Sequence, residues 1–272
     1  MRWYVFSFLC IALVLAQDYV RYLIFSTRDI NTGTYDSVLR LLEQVDAEVH
    51  VAPPISLAAF YPTRNRGTPT REVLRRFRKF YPHVPLLIQN DMRDESVRAL
   101  DANATFRFTE KSYGYSSYGV DYVEWMNGVL QASKDHEWVI LLEDDVWVVR
   151  PFTGPFLYDI NCGPDQFLRP ELAFAMNDVC AGMGTVLGGF GGCIMRTSAL
   201  SEVLGVESRA FYKRMRSYRR FDHFIASDEA VSMIMQCAGY TIGPYKGYTN
   251  LYFYDNTLRD AQVLHPVKVL YG

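Results

Sequence analysis

Residues 137–146 read Glu-Trp-Val-Ile-Leu-Leu-Glu-Asp-Asp-Val. An apolar run that does not alternate describes a strand covered on both faces, as in a sheet enclosed by helices. It stops abruptly on three carboxylates, Glu143, Asp144 and Asp145. Adjacent carboxylates repel one another and an unpaired buried charge is costly, so three acids at the mouth of a buried strand call for a cation. Hard oxygen donors that leave room for water and phosphate oxygens suit magnesium or manganese.

The rest of the chain supplies the surroundings such a strand needs. Residues 19–25 form an aromatic and β-branched run that ends at the polar Ser26-Thr27-Arg28-Asp29. Asp36 and Ser37 have the chemistry of a helix cap before an amphipathic stretch to Val45, and residues 47–52 read as a returning strand. Helical periodicity follows over 68–81 and 122–133, separated by a strand over 84–89 that stops at Asn90-Asp91. Alternating strands and helices imply an α/β domain with a central, mostly parallel mixed sheet flanked by helices. Ligands of such sheets collect beyond the carboxyl ends of the strands. The polar stops at 27–29, 90–91 and 143–145 are therefore expected to converge on one cleft.

The chain has 272 residues, 49% of them apolar, which is enough for one large core; residues 19–272 are expected to be a single domain. The formal net charge of -2 argues against nucleic acid as a partner. Two basic runs, 71–79 and 209–220, fit a solvated helix face or a phosphate contact. Residues 3–16 are almost wholly apolar after Arg2, which fits either a cleaved signal peptide or an uncleaved signal anchor holding the chain to a membrane. Either implies the secretory pathway, in the Golgi or endoplasmic reticulum lumen; the third reading is a buried segment of a cytosolic protein. The sequon Asn103-Ala104-Thr105 is compatible with that location, and Cys162, Cys180, Cys193 and Cys237 are even in number and free to form two bridges.

Further constellations stand out downstream. Gly188-Gly189-Phe190-Gly191-Gly192 removes side chains where backbone must come close to a ligand or bend at a strand edge. Ser227-Asp228-Glu229 opens an amphipathic segment over 230–238, where acids favour a helix N-terminus. His265 and Lys268 lie near the C-terminus, and imidazole beside carboxylates is a sensible manganese ligand. Tyr113, Tyr115, Tyr118 and Trp147 could stack on a sugar or simply pack.

A strand ending in Glu-Asp-Asp resembles the DxD-type signature of GT-A-fold, nucleotide-sugar-dependent glycosyltransferases, in particular the N-acetylglucosaminyltransferase group. The glycine run, the 227–229 triplet and His265 follow in matching order. The resemblance implies that Asp145 and His265 bind Mn2+ or Mg2+. It implies that Glu143, Asp144, Thr27, Arg28, Asp29, Asn90, Asp91, Gly188, Gly189 and Lys268 line the nucleotide-sugar site. The triplet resembles the family's xED motif, whose last acid deprotonates the acceptor; by position that is Glu229, with Asp228 in reserve because Asp and Glu are exchanged here. The implied activity is transfer from a nucleotide-diphosphate sugar, UDP-linked by resemblance, to a glycan or glycoprotein hydroxyl with inversion. Retention on the same fold and a non-catalytic metal- or carbohydrate-binding secretory protein are the rival readings. A nucleotidyltransferase lacks support because no glycine- and lysine-rich loop follows the first strand.

Overall fold

The computed structural model describes residues 32–47, 53–63, 67–91, 93–109, 122–163, 188, 190–203, 227–251 and 260–266. The apolar leader, the 19–29 segment, Tyr113, Tyr115, Tyr118, the 209–220 run, Gly189 and Lys268 lie outside them. Among the described residues no helix is long and apolar enough to cross a membrane.

Helix α1 spans Thr32–Ala47, strand β1 Leu57–Thr63, helix α2 Thr68–Phe80, strand β2 Leu86–Asp91 and strand β3 Thr105–Thr109. Helix α3, Tyr122–Ser133, leads into β4, Trp138–Leu141, and β5, Trp147–Val148. After β6, Ile160–Cys162, come β7, Ile194–Arg196, and the short helix α4, Thr197–Val203. Helix α5, Ser227–Cys237, then precedes β8, Ile242–Pro244, β9, Tyr248–Asn250, and β10, Val263–His265.

A seven-stranded sheet has the order β3-β2-β1-β4-β7-β6-β8 and a three-stranded one the order β5-β10-β9. Strands β3, β2, β1 and β4 are parallel, β7 is antiparallel to both β4 and β6, and β6 runs parallel to β8. The expected mostly parallel α/β sheet flanked by helices is the architecture observed.

Two contacts show how the helices cover it. On one face, Thr63 of β1 meets Thr70 of α2, whose residues Thr70, Val73, Leu74, Phe77 and Phe80 are buried at helical spacing. On the other face lies α3, seated at Gly128. A Cβ there would come within 2.7 Å of both the Phe60 ring and Gln89 Oε1, so only glycine lets the helix lie this close to β1 and β2.

Sequence expectations and structure differ at three places. Strand β1, in the interior of the large sheet, comes from Leu57–Thr63, a stretch not read as a strand: its Ala-Ala pair has weak strand preference and Pro62 interrupts it. Pro62 is tolerated because β4 pairs with β1 only as far as Phe60, and the Ala59 N–H pointing to β2 puts the missing Pro62 donor on the β4 side, beyond that pairing. Asp36 and Ser37 are not a cap: α1 begins at Thr32. Cap-type residues recur at Asn31, Thr32, Asp36 and Ser37, so the local signal does not single out one start. Ala47 closes α1 and does not open a strand, and residues 48–52 lie outside the described residues.

Candidate metal centre

Between β1 and β4 the strand order reverses: the chain moves from β1 outward to β2 and β3, then returns through α3 to β4 on the other side of β1. A crevice beyond the strand ends at such a switch point is where open α/β sheets hold ligands. The three acids sit there.

Leu141 ends β4, and a tight turn closed by the Val146 N–H on Glu143 O, at 3.1 Å, puts Asp144 and Asp145 at its corner. The chain then enters β5, which pairs antiparallel with β10, Leu264 opposite Trp147. This register brings His265 beside the turn. His265 Nε2 lies 3.4 Å from Asp145 Oδ1 and 4.0 Å from Glu143 Oε2. One ligand atom from each of Glu143, Asp145 and His265 falls within 4.8 Å of the others. Ligands about 2.1 Å from an octahedral ion lie about 3 Å apart when adjacent and about 4 Å when opposite, so seating one ion requires the three atoms to close in by under about 2 Å. The side chains of Asp145 and His265 are 13% and 11% exposed and that of Glu143 is 39%, so the seat opens on the Glu143 side.

Asp144 turns the other way. Its Oδ1 accepts from Tyr61 Oη at 2.5 Å, Thr63 Oγ1 at 2.8 Å and Thr70 Oγ1 at 3.2 Å. That carboxylate oxygen fastens the turn to β1 and α2. Burial first, and then the Asp144 charge, hold the Tyr61 phenol well above its ordinary pKa, so it stays a donor.

The glycine run packs alongside. Gly192 N–H donates to Leu141 O, and Leu141 N–H donates to Cys193 O, so the stretch continues the β4 edge. A Cβ on Gly191 would stand 2.6 Å from Val146 Cγ2 and 2.9 Å from Glu143 Cδ. On Gly192, at φ +84°, it would meet Val263 at 2.7 Å and Tyr248 at 2.8 Å. These glycines are required by protein side chains beside the acids. A Cys162–Cys193 disulfide holds the base of the run to β6, and Cys237 is also disulfide-bonded.

Helix α5 reaches the same run. Ser232 Oγ accepts from Gly188 N–H and lies 2.7 Å from the carbonyls of both Gly188 and Asp228. Gly188 is buried with both its amide groups on Ser232, so it is placed as an anchor for the loop. In the first turn of α5, Asp228 Oδ1 accepts from Glu229 N–H at 2.9 Å, a capping contact, while Glu229 is buried.

Other expected residues are placed as follows. Asn90 is buried, donating to Thr63 O and accepting from Asp94 N–H, which makes it a brace between strand ends. Asp91 ends β2. Trp147 is buried beneath the Arg76 guanidinium, 4.4 Å from its centroid, so it packs in the core. In the 71–79 run Arg71, Arg75 and Lys79 are exposed, as on a solvated helix face, while Arg76 and Arg78 are held by protein partners. Arg76 pairs with Glu72 at 2.6 Å, and Arg78 reaches Asp101 and the carbonyls of Tyr81 and Val84.

Tyr61, Thr63, Thr70, Ser232 and Tyr248 hold the site and were not foreseen. Their partners come from distant elements, and only the Tyr61-Pro62-Thr63 strand end offered a local signal.

No protein-family model matches the chain, and no curated protein matches it. In structure it is similar to the galactosyltransferase LgtC, solved in complex with donor and acceptor sugar analogues, with a TM-score of 0.49 and 12% identity over 76% of this chain and 86% of that one.

Proposed function

We propose that the chain is a metal-dependent glycosyltransferase of GT-A type that moves a sugar from a nucleotide-diphosphate donor, UDP-linked, to a hydroxyl of a glycan or glycoprotein. The observation that carries this reading is the approach of Glu143, Asp145 and His265 at the switch point of the sheet. Asp145 and His265 hold Mn2+ or Mg2+ with Glu143 beside them. When bound, the ion supplies charge neutralisation for a diphosphate leaving group.

The chain's own residues do the rest. Asp144 keeps the turn rigid through its three hydroxyl partners, so Asp145 and the neighbouring Glu143 are presented without reorganisation. Glu229, buried in the first turn of α5, takes the proton from the acceptor hydroxyl as that oxygen attacks the anomeric carbon; Asp228 caps the helix. Thr27, Arg28, Asp29, Asp91, Gly189 and Lys268 complete the donor side in this reading. Residues 3–16 bring the protein into the secretory pathway, as a signal peptide or an anchor.

A panel of nucleotide sugars, tested with Mn2+ for thermal stabilisation and for turnover, examines this directly. A true donor raises the melting temperature by mass action. Asp145→Ala should abolish turnover, whereas Glu229→Gln should block transfer and leave Mn2+ binding intact. The anomeric configuration of the product, read by NMR, separates inversion from retention. Failure of every nucleotide sugar to stabilise the protein or turn over in Mn2+ would sink the proposal and leave a non-catalytic metal binder.

A further inference from the structure

His265 is engaged at both ring nitrogens. Nε2 faces the two carboxylates, and Nδ1 lies 2.7 Å from the Tyr248 hydroxyl. That hydroxyl is also 3.0 Å from the carbonyl oxygen of Gly191. A phenol carries one hydrogen, a carbonyl can only accept and Nδ1 can donate, so both contacts are satisfied together only when that hydrogen goes to Gly191. The phenol oxygen is then the acceptor on the His265 side. Nδ1 must carry a hydrogen to satisfy it, and the neutral ring is left with a bare lone pair on Nε2, aimed at Asp145 and Glu143. Lone pair against carboxylate is repulsive, and a cation between them removes the conflict.

The rings fix the same orientation. Phe190 stacks on His265 with centroids 5.8 Å apart and meets Tyr248 edge-on at 6.0 Å. Gly192, whose Cβ would strike the Tyr248 ring, lets the phenol sit this close to the glycine run.

We infer that Tyr248 is a positioning residue: through one hydroxyl it sets the Nδ1–H tautomer and ring angle of His265 and ties them to Gly191. The loop packed on Glu143 and the imidazole beside Asp145 are thereby held as one unit. The inference rests on the cation reading above only for its effect on metal binding, since the tautomer exists without metal.

The experiment uses the full chain and Tyr248→Phe, which keeps the ring and removes the hydroxyl. The metal-free protein, 15N-labelled at histidine, is examined by NMR at about pH 8.5, above the ordinary histidine range. The His265 signals are identified by their loss in His265→Ala. Wild type should show Nδ1–H with bare Nε2, and Tyr248→Phe should move a substantial fraction to Nε2–H. Mn2+ affinity, followed by electron paramagnetic resonance of the free ion, should fall about tenfold or more in the Phe variant, the usual effect of losing such a partner. An unchanged tautomer with unchanged affinity in Tyr248→Phe overturns the inference. Should that variant fail to fold, wild type alone decides, and an Nε2–H tautomer there overturns it equally. A tautomer shift together with no Mn2+ binding by wild type supports the role of Tyr248 and counts against the metal reading instead.

Discussion

The Thr63 hydroxyl donates a 2.8 Å hydrogen bond to Oδ1 of Asp144, joining the end of β1 to the acid turn after β4. Tyr61 and Thr70 donate to the same oxygen, so one of the three consecutive acids is a structural anchor while its neighbours face the other way. Asp144→Ala leaves the buried hydroxyls without their acceptor, although Thr63 and Thr70, 3.4 Å apart, can partly satisfy each other. The expected cost is about 1–3 kcal/mol, that of one orphaned buried group. Asp144→Asn keeps an acceptor and loses less. Asp145→Ala in metal-free protein should cost less than Asp144→Ala, because it also relieves repulsion from Glu143. Denaturant unfolding of the three variants checks this ordering, and an unchanged midpoint for Asp144→Ala contradicts the anchor role.

Gly192 and Gly239 share a left-handed backbone, with φ of +84° and +87°, and differ in their surroundings. Nothing lies within 4 Å of a Cβ built on Gly239, so Gly239→Ala should cost only the backbone strain of about 1–2 kcal/mol. Gly192→Ala adds collisions with Val263 and Tyr248, and overpacking of this kind costs roughly 1–3 kcal/mol more. Gly191→Ala, pressed on Glu143 and Val146, should also weaken Mn2+ binding by displacing the carboxylate. Equal destabilisation by the Gly192 and Gly239 substitutions would show that packing against Tyr248 is not the constraint.

What the sequence disclosed follows the range of the forces involved. Local patterns placed α2, α3, β2, β4 and α5 within a few residues, because helical spacing, buried runs and first-turn acids are encoded over ten or so positions. Asp145 and His265 were legible as types suited to one cation, but their meeting depends on the β5–β10 register. Asp144 was expected at the nucleotide, and its hold on β1 and α2 through Oδ1 was not foreseen, because adjacent carboxylates look alike until a turn sends them apart. Its partners Tyr61 and Thr63 end a strand hidden by Ala58, Ala59 and Pro62. Tyr248 is one of 19 tyrosines, and composition alone cannot pick out the one that touches a histidine.

The Cys162–Cys193 bridge links β6 to the glycine run across a sequence separation of 31. Closing a loop of that size is worth about 3–4 kcal/mol in the chain-entropy account. The double substitution Cys162→Ala with Cys193→Ala should lower stability by about that amount. It should also loosen the run at Gly191 and with it the hold on Glu143. Unfolding midpoints and Mn2+ affinity measured together test both parts; a stable variant with unchanged affinity would show that strand pairing alone sets the loop.

Alkaline stability provides a check on the core that is independent of any ligand. Burial pushes the Tyr245 phenol up to about 12 and raises that of Tyr81 as well, and Tyr61 is raised by burial and by Asp144. In the unfolded chain these groups ionise near the ordinary tyrosine value of about 10. Folded pKa values above unfolded ones mean that the native state holds protons the unfolded state has released. The associated stability is therefore fully present below about pH 10 and declines as pH rises from there through about 12. Guanidinium midpoints between pH 8 and 11.5 should be level at first and then fall steeply. Tyrosinate absorbance should rise in step with unfolding, because burial disfavours the charged phenolates of Tyr81 and Tyr245 in the folded core. A midpoint that stays flat to pH 11.5 while tyrosinate appears would mean that these phenols reach solvent in the folded protein.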